Sequence, residues 1–277
     1  MARERVVMVT GASRGIGRAI AVDLAARGHS LVLTARSLGG GAVFDGTTQN
    51  DDIAGIELSG SVEATAAECR AFGSDVLAVA MDLTDEVAVR AAARAARERF
   101  GTVDTLISNA IYQGPGVNDR IVDLPVDLVR RVIEGDAIAP LVLLQEFLPG
   151  MIASGRGVFV QLTSGAATLV PKAPSGEGGW GVAYAMAKSA VHRVAGVLHA
   201  EHARDGLRAY SLNPGHVTTE VMKQRAERAG REVTGRGPED TVTTVAWLLD
   251  GSAAAAELSG QEVVARDVAR SLADPNR

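Results

Sequence analysis

A tyrosine and a lysine stand four positions apart in "VAYAMAKSAV", residues 182–191: Tyr184 and Lys188. Positions i and i+4 share one face of a helix, and their side chains meet. A phenol in water gives up its proton at about pH 10, roughly three units too high for acid–base work at neutrality. A neighbouring ammonium favours the phenolate and lowers that value. The pair can therefore move a proton to or from an oxygen. The chain has only three tyrosines, yet the spacing is common by chance. Taken alone, it is better explained as two residues on a helix surface.

A second stretch, "TGASRGIG" at 10–17, sets Gly11, Gly15 and Gly17 between an apolar run and a helical one. A helix N-terminus offers N–H groups and a positive dipole end to a phosphate. Glycines let the backbone turn tightly and approach a pyrophosphate. Cofactor choice is readable at the end of the next apolar run, "LVLTARS". A carboxylate there binds a ribose 2′-hydroxyl, and an arginine accommodates a 2′-phosphate. Arg36 and Ser37 stand there with no Asp or Glu beside them, and Arg14 lies inside the glycine loop. This pattern predicts NADP(H).

The elements that must hold these residues alternate. Strand-like runs at 5–10, 30–35, 75–81, 103–110, 157–164, 207–215 and 260–265 are interleaved with helical patterns at 16–28, 61–73, 85–101 and 125–151 and in the run carrying Tyr184. Alternation of this kind predicts an α/β fold, a doubly wound parallel sheet of about seven strands with helices on both faces. Such sheets bind ligands outside the carboxyl ends of their strands. No linker or internal repeat interrupts the 277 residues, so one domain over 1–277 is the simplest organisation. Two stretches break the alternation, a Gly-rich one at 37–60 and another at 165–181. Loops of this length in a compact domain are usually functional or disordered.

Composition narrows the partners. Apolar residues make up 47% and charged residues 22%, an ordinary globular balance. A net charge of −5 and a pI near 5.6 argue against nucleic acid or an anionic membrane as the main partner. The single cysteine, Cys69, excludes an internal disulfide and suits a reducing cytoplasm. No run of about 18 uninterrupted apolar residues suggests a membrane span. No paired groups suggest a metal site.

In order along the chain, the motifs resemble the short-chain dehydrogenase/reductase family. They are the G-x-x-x-G-x-G loop, Asp82-Leu83 after the third strand, "SNA" at 108–110, Ser164 ending the fifth strand, Tyr184-x-x-x-Lys188 and "NPGHVTT" at 213–219. The likeness covers roughly residues 5–265. It implies hydride transfer between a nicotinamide and a carbon bearing oxygen. Tyr184 would be the acid or base, Lys188 its partner and holder of the nicotinamide ribose, and Ser164 a donor to the substrate oxygen. Cofactor contacts are implied for Gly11, Ser13, Arg14, Gly15, Ile16, Gly17, Arg36, Ser37, Asp82, Leu83, Asn109, Ala110, Pro214, Gly215, Val217 and Thr218. A lid near 216–237, a small carbonyl or alcohol substrate, and a homodimer or homotetramer are implied as well.

Two positions depart from the pattern. Ile111 stands where the family has a glycine, which would narrow the nicotinamide side of the cleft. Asp136, in "VIEGDAIAP", stands where the family has a fourth catalytic residue, an asparagine. These departures leave open a non-catalytic NADP-binding regulatory protein on the same fold. The complete Ser-Tyr-Lys set favours an enzyme.

Overall fold

The computed structural model describes residues 4–50, 54–228 and 235–273. In chain order the elements are β1 (Val6–Thr10), α1 (Gly15–Ala26), β2 (Ser30–Ala35), α2 (Val62–Ala71), β3 (Val76–Ala80), α3 (Glu86–Phe100), β4 (Thr105–Ser108) and α4 (Val126–Ile133). A π-helical segment, Glu134–Ile138, leads into α5 (Ala139–Ser154). Then follow β5 (Val158–Leu162), α6 (Val182–His192), α7 (Val194–His202), β6 (Arg208–Asn213), α8 (Glu220–Arg228), α9 (Glu239–Leu249), α10 (Ala253–Glu257), β7 (Glu262–Val264) and α11 (Ala265–Ala273).

The seven strands form one sheet in the order β3-β2-β1-β4-β5-β6-β7, and every pairing is parallel. Side chains alternate across a strand, and the alternation sorts the core into two layers. Val7, Val9, Leu31 and Leu33 meet Ile20 and Leu24 of α1, Val62 of α2 and Leu248 of α9. Met8, Val32, Leu106 and Phe159 meet Val89 of α3, Leu143 and Phe147 of α5 and Leu198 of α7. Both faces are covered, which explains why the strands read as continuous apolar runs. The expected fold class is the observed one.

The structure differs from the sequence-based boundaries in instructive places. β4, β5 and β6 are shorter than their apolar runs, because ladder pairing stops where the chain leaves the sheet to form loops. The run at 125–151 continues to Ser154 and contains the π-segment. By length and composition Val126–Ser154 could cross a membrane. Its apolar residues Val142, Leu143, Leu144 and Phe147 are instead buried in the core layer shared with α3. Helices α9, α10 and α11 are absent from the sequence-based pattern. In α9, "EDTVTTVAWLL" is rich in β-branched residues of modest helix propensity. Burial of Val245 and Leu248 against the layer formed with α1 overrides it.

The stretch at 37–60 is not a structureless loop. Val43 and Glu57 form an antiparallel bridge. Phe44 N donates to Ile56 O at 2.8 Å, and Leu58 N donates to Ala42 O at 2.7 Å. Phe44 and Leu58 are buried against Ile56 in a small cluster of their own.

Phe159 is fully buried at the centre of the sheet. Phe159→Ala should lower the unfolding free energy by about 3–5 kcal/mol, read from urea denaturation, through lost transfer energy and a residual cavity.

Candidate active site

The carboxyl edge of the sheet opens onto a cleft of about 520 Å³. Its first wall is the turn after β1. Gly11 takes φ +68°, a left-handed conformation that glycine adopts without strain. A Cβ on Gly17 would lie 2.3 Å from Gly11 O and 2.6 Å from Asn109 Nδ2. Asn109 fixes this wall to the end of β4: its Nδ2 donates to Thr10 O at 2.8 Å and to Gly11 O at 3.2 Å. The backbone N–H groups of Asn109 and Ala110 both donate to Thr10 Oγ1. Helix α1 starts here with no side-chain cap and no acid in its first turn, an end suited to a phosphate.

Across the cleft, Asp82 accepts from Thr84 N and Thr84 Oγ1 through Oδ1, both at 2.8 Å. It does not cap α3, a role taken by Asp85, which accepts from Val87 N and Ala88 N. Ile111 lines the cleft, as do Tyr112 and Thr163.

Tyr184 and Lys188 stand on α6 in the cleft wall. Lys188 is 3% exposed. Its Nζ donates to Leu162 O at 2.9 Å and lies 5.7 Å from the centroid of the Tyr184 ring. Ser164 follows β5 by two residues, beside Thr163. Its Oγ accepts from Ala166 N at 3.2 Å and so caps the short 3₁₀ turn Gly165–Ala167. Its hydroxyl proton remains available to donate.

Asp136 lies in the π-segment, where one extra residue per turn re-aims side chains. It is 1% exposed. Oδ1 accepts from Tyr112 N at 2.5 Å, and Oδ2 has no partner. Burial pushes its carboxyl up to about 6, while the Lys188 charge and the Tyr112 N–H pull the other way. Cys69 is inert by contrast, buried with its thiol pushed up to about 11.

Of the two stretches outside the alternation, the one at 37–60 reaches this cleft. Val43, Phe44, Asp45 and Leu58 line it. Arg14 donates to Ser59 O at 2.8 Å and to Gly60 O at 3.2 Å. Arg36 pairs with the Asp45 carboxylate and donates to Val43 O at 3.1 Å. The absence of an acid beside Arg36 therefore holds along the chain but not in space. The tip of the insertion docks on the turn before α4: Asn118 N donates to Thr47 O at 2.8 Å, and Gln49 N to Asp119 Oδ1 at 3.1 Å. The 165–181 loop docks on the same turn through Ser175 Oγ, which donates to Asn118 O at 2.6 Å, and through an Arg120–Glu177 ion pair.

Of the residues singled out in the sequence, Gly11, Ser13, Arg14, Gly15, Ile16, Arg36, Asp82, Leu83, Asn109, Ala110, Tyr184, Lys188 and Pro214 line the cleft. Ser164, Asp136, Gly17, Ser37, Gly215, Val217 and Thr218 stand outside its wall. Gly17 packs closely on the glycine turn and Asp136 is buried. Val217 bridges to Arg236. Of the expected lid, Glu220–Arg228 is helix, and residues 229–234, including Arg231 and Glu232, lie outside the described residues. Asp45, Phe44, Tyr112 and Thr163 escaped the sequence pattern. None belongs to a spacing motif, and only the Gly-rich character of 37–60 pointed to the first two.

Comparison with known proteins agrees with this geometry. The model of the short chain dehydrogenases matches residues 5–56 and 49–230. The 1-deoxy-11-beta-hydroxypentalenate dehydrogenase of Streptomyces avermitilis is 34% identical over 88% of this chain and 80% of its own. Among solved structures, a 7 alpha-hydroxysteroid dehydrogenase with NADH and 7-oxo glycochenodeoxycholic acid is 26% identical, with a TM-score of 0.71 over 94% of this chain and 92% of its own. The alcohol dehydrogenase of the archaeon Thermococcus sibiricus, with 5-hydroxy-NADP, is 25% identical, with a TM-score of 0.71 over 95% of this chain and 96% of its own. A nicotinamide-dependent oxidoreductase of alcohol and carbonyl carbons follows, and the chain belongs to the short-chain dehydrogenase family.

Proposed function

We propose that this protein interconverts an alcohol and a ketone or aldehyde of a small organic molecule with NADP(H), using Tyr184, Lys188 and Ser164. The observation that carries the proposal is the placement of Tyr184 and Lys188 on one helix face in the wall of the cleft that begins at the glycine turn. The cleft fits a dinucleotide: a phosphate-favouring helix end, a backbone that Gly17 lets approach, and cations at Arg14 and Arg36. The nicotinamide, when bound, supplies or accepts the hydride at its C4.

The protein's own residues handle the proton. In oxidation Tyr184 takes the alcohol proton, and in reduction it returns one to the carbonyl oxygen. Ser164 donates to the same oxygen as negative charge builds on it. Lys188 supplies a fixed positive charge beside the phenol, held in place by Leu162 O. Asp136 Oδ2, buried without a hydrogen-bond partner, would share a water with the lysine ammonium, whose charge acts on it. Asp136 thereby takes the position of the family's asparagine as a positioning residue with charge. Cofactor contacts from Ser13, Ile16, Ser37, Asp82, Leu83, Asn109, Ala110, Pro214, Gly215, Val217 and Thr218 belong to the same proposal.

Exposed apolar side chains on α5 and on α6–α7, among them Leu141, Met186 and Val197, support a homodimer or homotetramer. The buried, unreactive Cys69 supports a cytoplasmic setting.

Three outcomes test the assignment. Tyr184→Phe should bind NADPH as the wild type does and lose about 10²–10⁴ in kcat with any competent alcohol or ketone; near-normal turnover would refute the acid–base role. Arg36→Ala should weaken NADPH binding by about 1.5–3 kcal/mol, measured by calorimetry, with NADH binding far less affected. Asp136→Asn should move the alkaline rise of alcohol oxidation to lower pH, because the carboxylate no longer offsets the Lys188 field at the phenol. The same variant has a stability signature. A carboxyl raised from 3.8 to about 6 contributes stability present below about pH 4 and lost as pH rises through about 6. Relative to wild type, Asp136→Asn should thus gain up to about 3 kcal/mol between pH 4 and 7.

A further inference from the structure

We propose that Asp45, carried by the 37–60 insertion, discriminates against the 2′-phosphate of the cofactor by holding the Arg36 guanidinium, so that the wild-type protein keeps a measurable use of NAD(H). The inference rests on the NADP(H) reading of Arg36 and deepens it.

Arg36 is the first residue after β2, at the position where a 2′-substituent is read. Its guanidinium is not open to solvent on all sides. One nitrogen pairs with the Asp45 carboxylate, and another donates to Val43 O at 3.1 Å. Both Asp45 and Arg36 line the cleft. A dianionic 2′-phosphate arriving at Arg36 must therefore displace Asp45 from the guanidinium before the two can pair. A ribose 2′-hydroxyl makes no demand on the guanidinium and meets no such penalty.

Asp45 is not placed there by accident of a floppy loop. Its neighbour Phe44 is 2% exposed and packs on Leu58 and Ile56. The backbone on either side is held by the Phe44–Ile56 and Leu58–Ala42 hydrogen bonds. Further along, Gln49 N and the side-chain amide of Gln49 reach the 8%-exposed Asp119, and Arg14 holds the returning strand at Ser59 and Gly60. The insertion is thus tied at both ends and at its tip, and it presents one carboxylate to one guanidinium. The side chains of Arg36 and Asp45 remain 51% and 44% exposed, so water and salt moderate the effect.

The test is calorimetric titration of NAD+ and NADP+ into wild type, Asp45→Asn, Arg36→Ala and the double variant. The ratio Kd(NAD+)/Kd(NADP+) should rise by about two- to fivefold in Asp45→Asn, the range for a partly solvated charge pair. That rise should shrink in high salt. It should vanish in the Arg36→Ala background, since Asp45 acts through Arg36. Asp45→Ser, a shorter polar replacement, should reproduce the rise if Asp45→Asn perturbs folding. An unchanged or lower ratio in both Asp45 variants, with Arg36→Ala still weakening NADP+, would overturn this inference alone. The same rise with Arg36 absent would also overturn it. No effect of Arg36→Ala on NADP+ would overturn both this inference and the NADP(H) reading beneath it.

Discussion

Neighbouring parallel strands cannot be joined by a tight hairpin. Each connection must cross a face of the sheet and return to the same end. All six pairings here are parallel, so every strand delivers its carboxyl end to one edge. The glycine turn, Asp82, Asn109, Ser164 and Pro214 come from five different strands and meet at that edge for this reason. The crossover helices cover both faces, and their packing holds the edge in register. The contact that fixes its centre is the crossing of the glycine turn with the end of β4, where a single Cβ on Gly17 would collide with Gly11 O and Asn109. Asn109 and Thr10 then tie the two strand ends by four hydrogen bonds.

Two titratable side chains beside the cleft are buried: Lys188 and Asp136 are each nearly inaccessible, and burial disfavours an unpaired carboxylate. No direct ion pair joins them. Their attraction acts through space, opposing the desolvation that raises Asp136. An asparagine at the same position would contribute hydrogen bonds and no charge.

The insertion and the 165–181 loop have a shared mechanical footing. One lines the cleft beside Arg36, the other joins Ser164 to Tyr184 along the chain, and both dock on the turn around Asn118–Arg120. Adjacent backbone groups of that turn serve both. The Asn118 N–H goes to the insertion and the Asn118 carbonyl to the loop.

By itself the sequence determined the fold class and the chemical set. Continuous apolar runs alternating with helical ones specify a covered parallel sheet. Tyr184, Lys188, Ser164 and the glycine turn sit at spacings that survive folding because each lies within, or at the end of, one regular element. The helices after residue 237 were not legible, since Thr- and Val-rich α9 is helical only through what it packs against. Only the tertiary structure decided the surroundings of the charges. Arg36 and Asp45 are nine positions apart in an irregular stretch, and no periodicity encodes their meeting. Asp136 could be named from its position in a motif, but its burial and its orphaned oxygen come from the packing of the π-segment, and that burial raises its carboxyl against the pull of Lys188 on a different helix. Local spacing encodes what one element can present. Charge pairing between distant segments depends on the three-dimensional path of the chain.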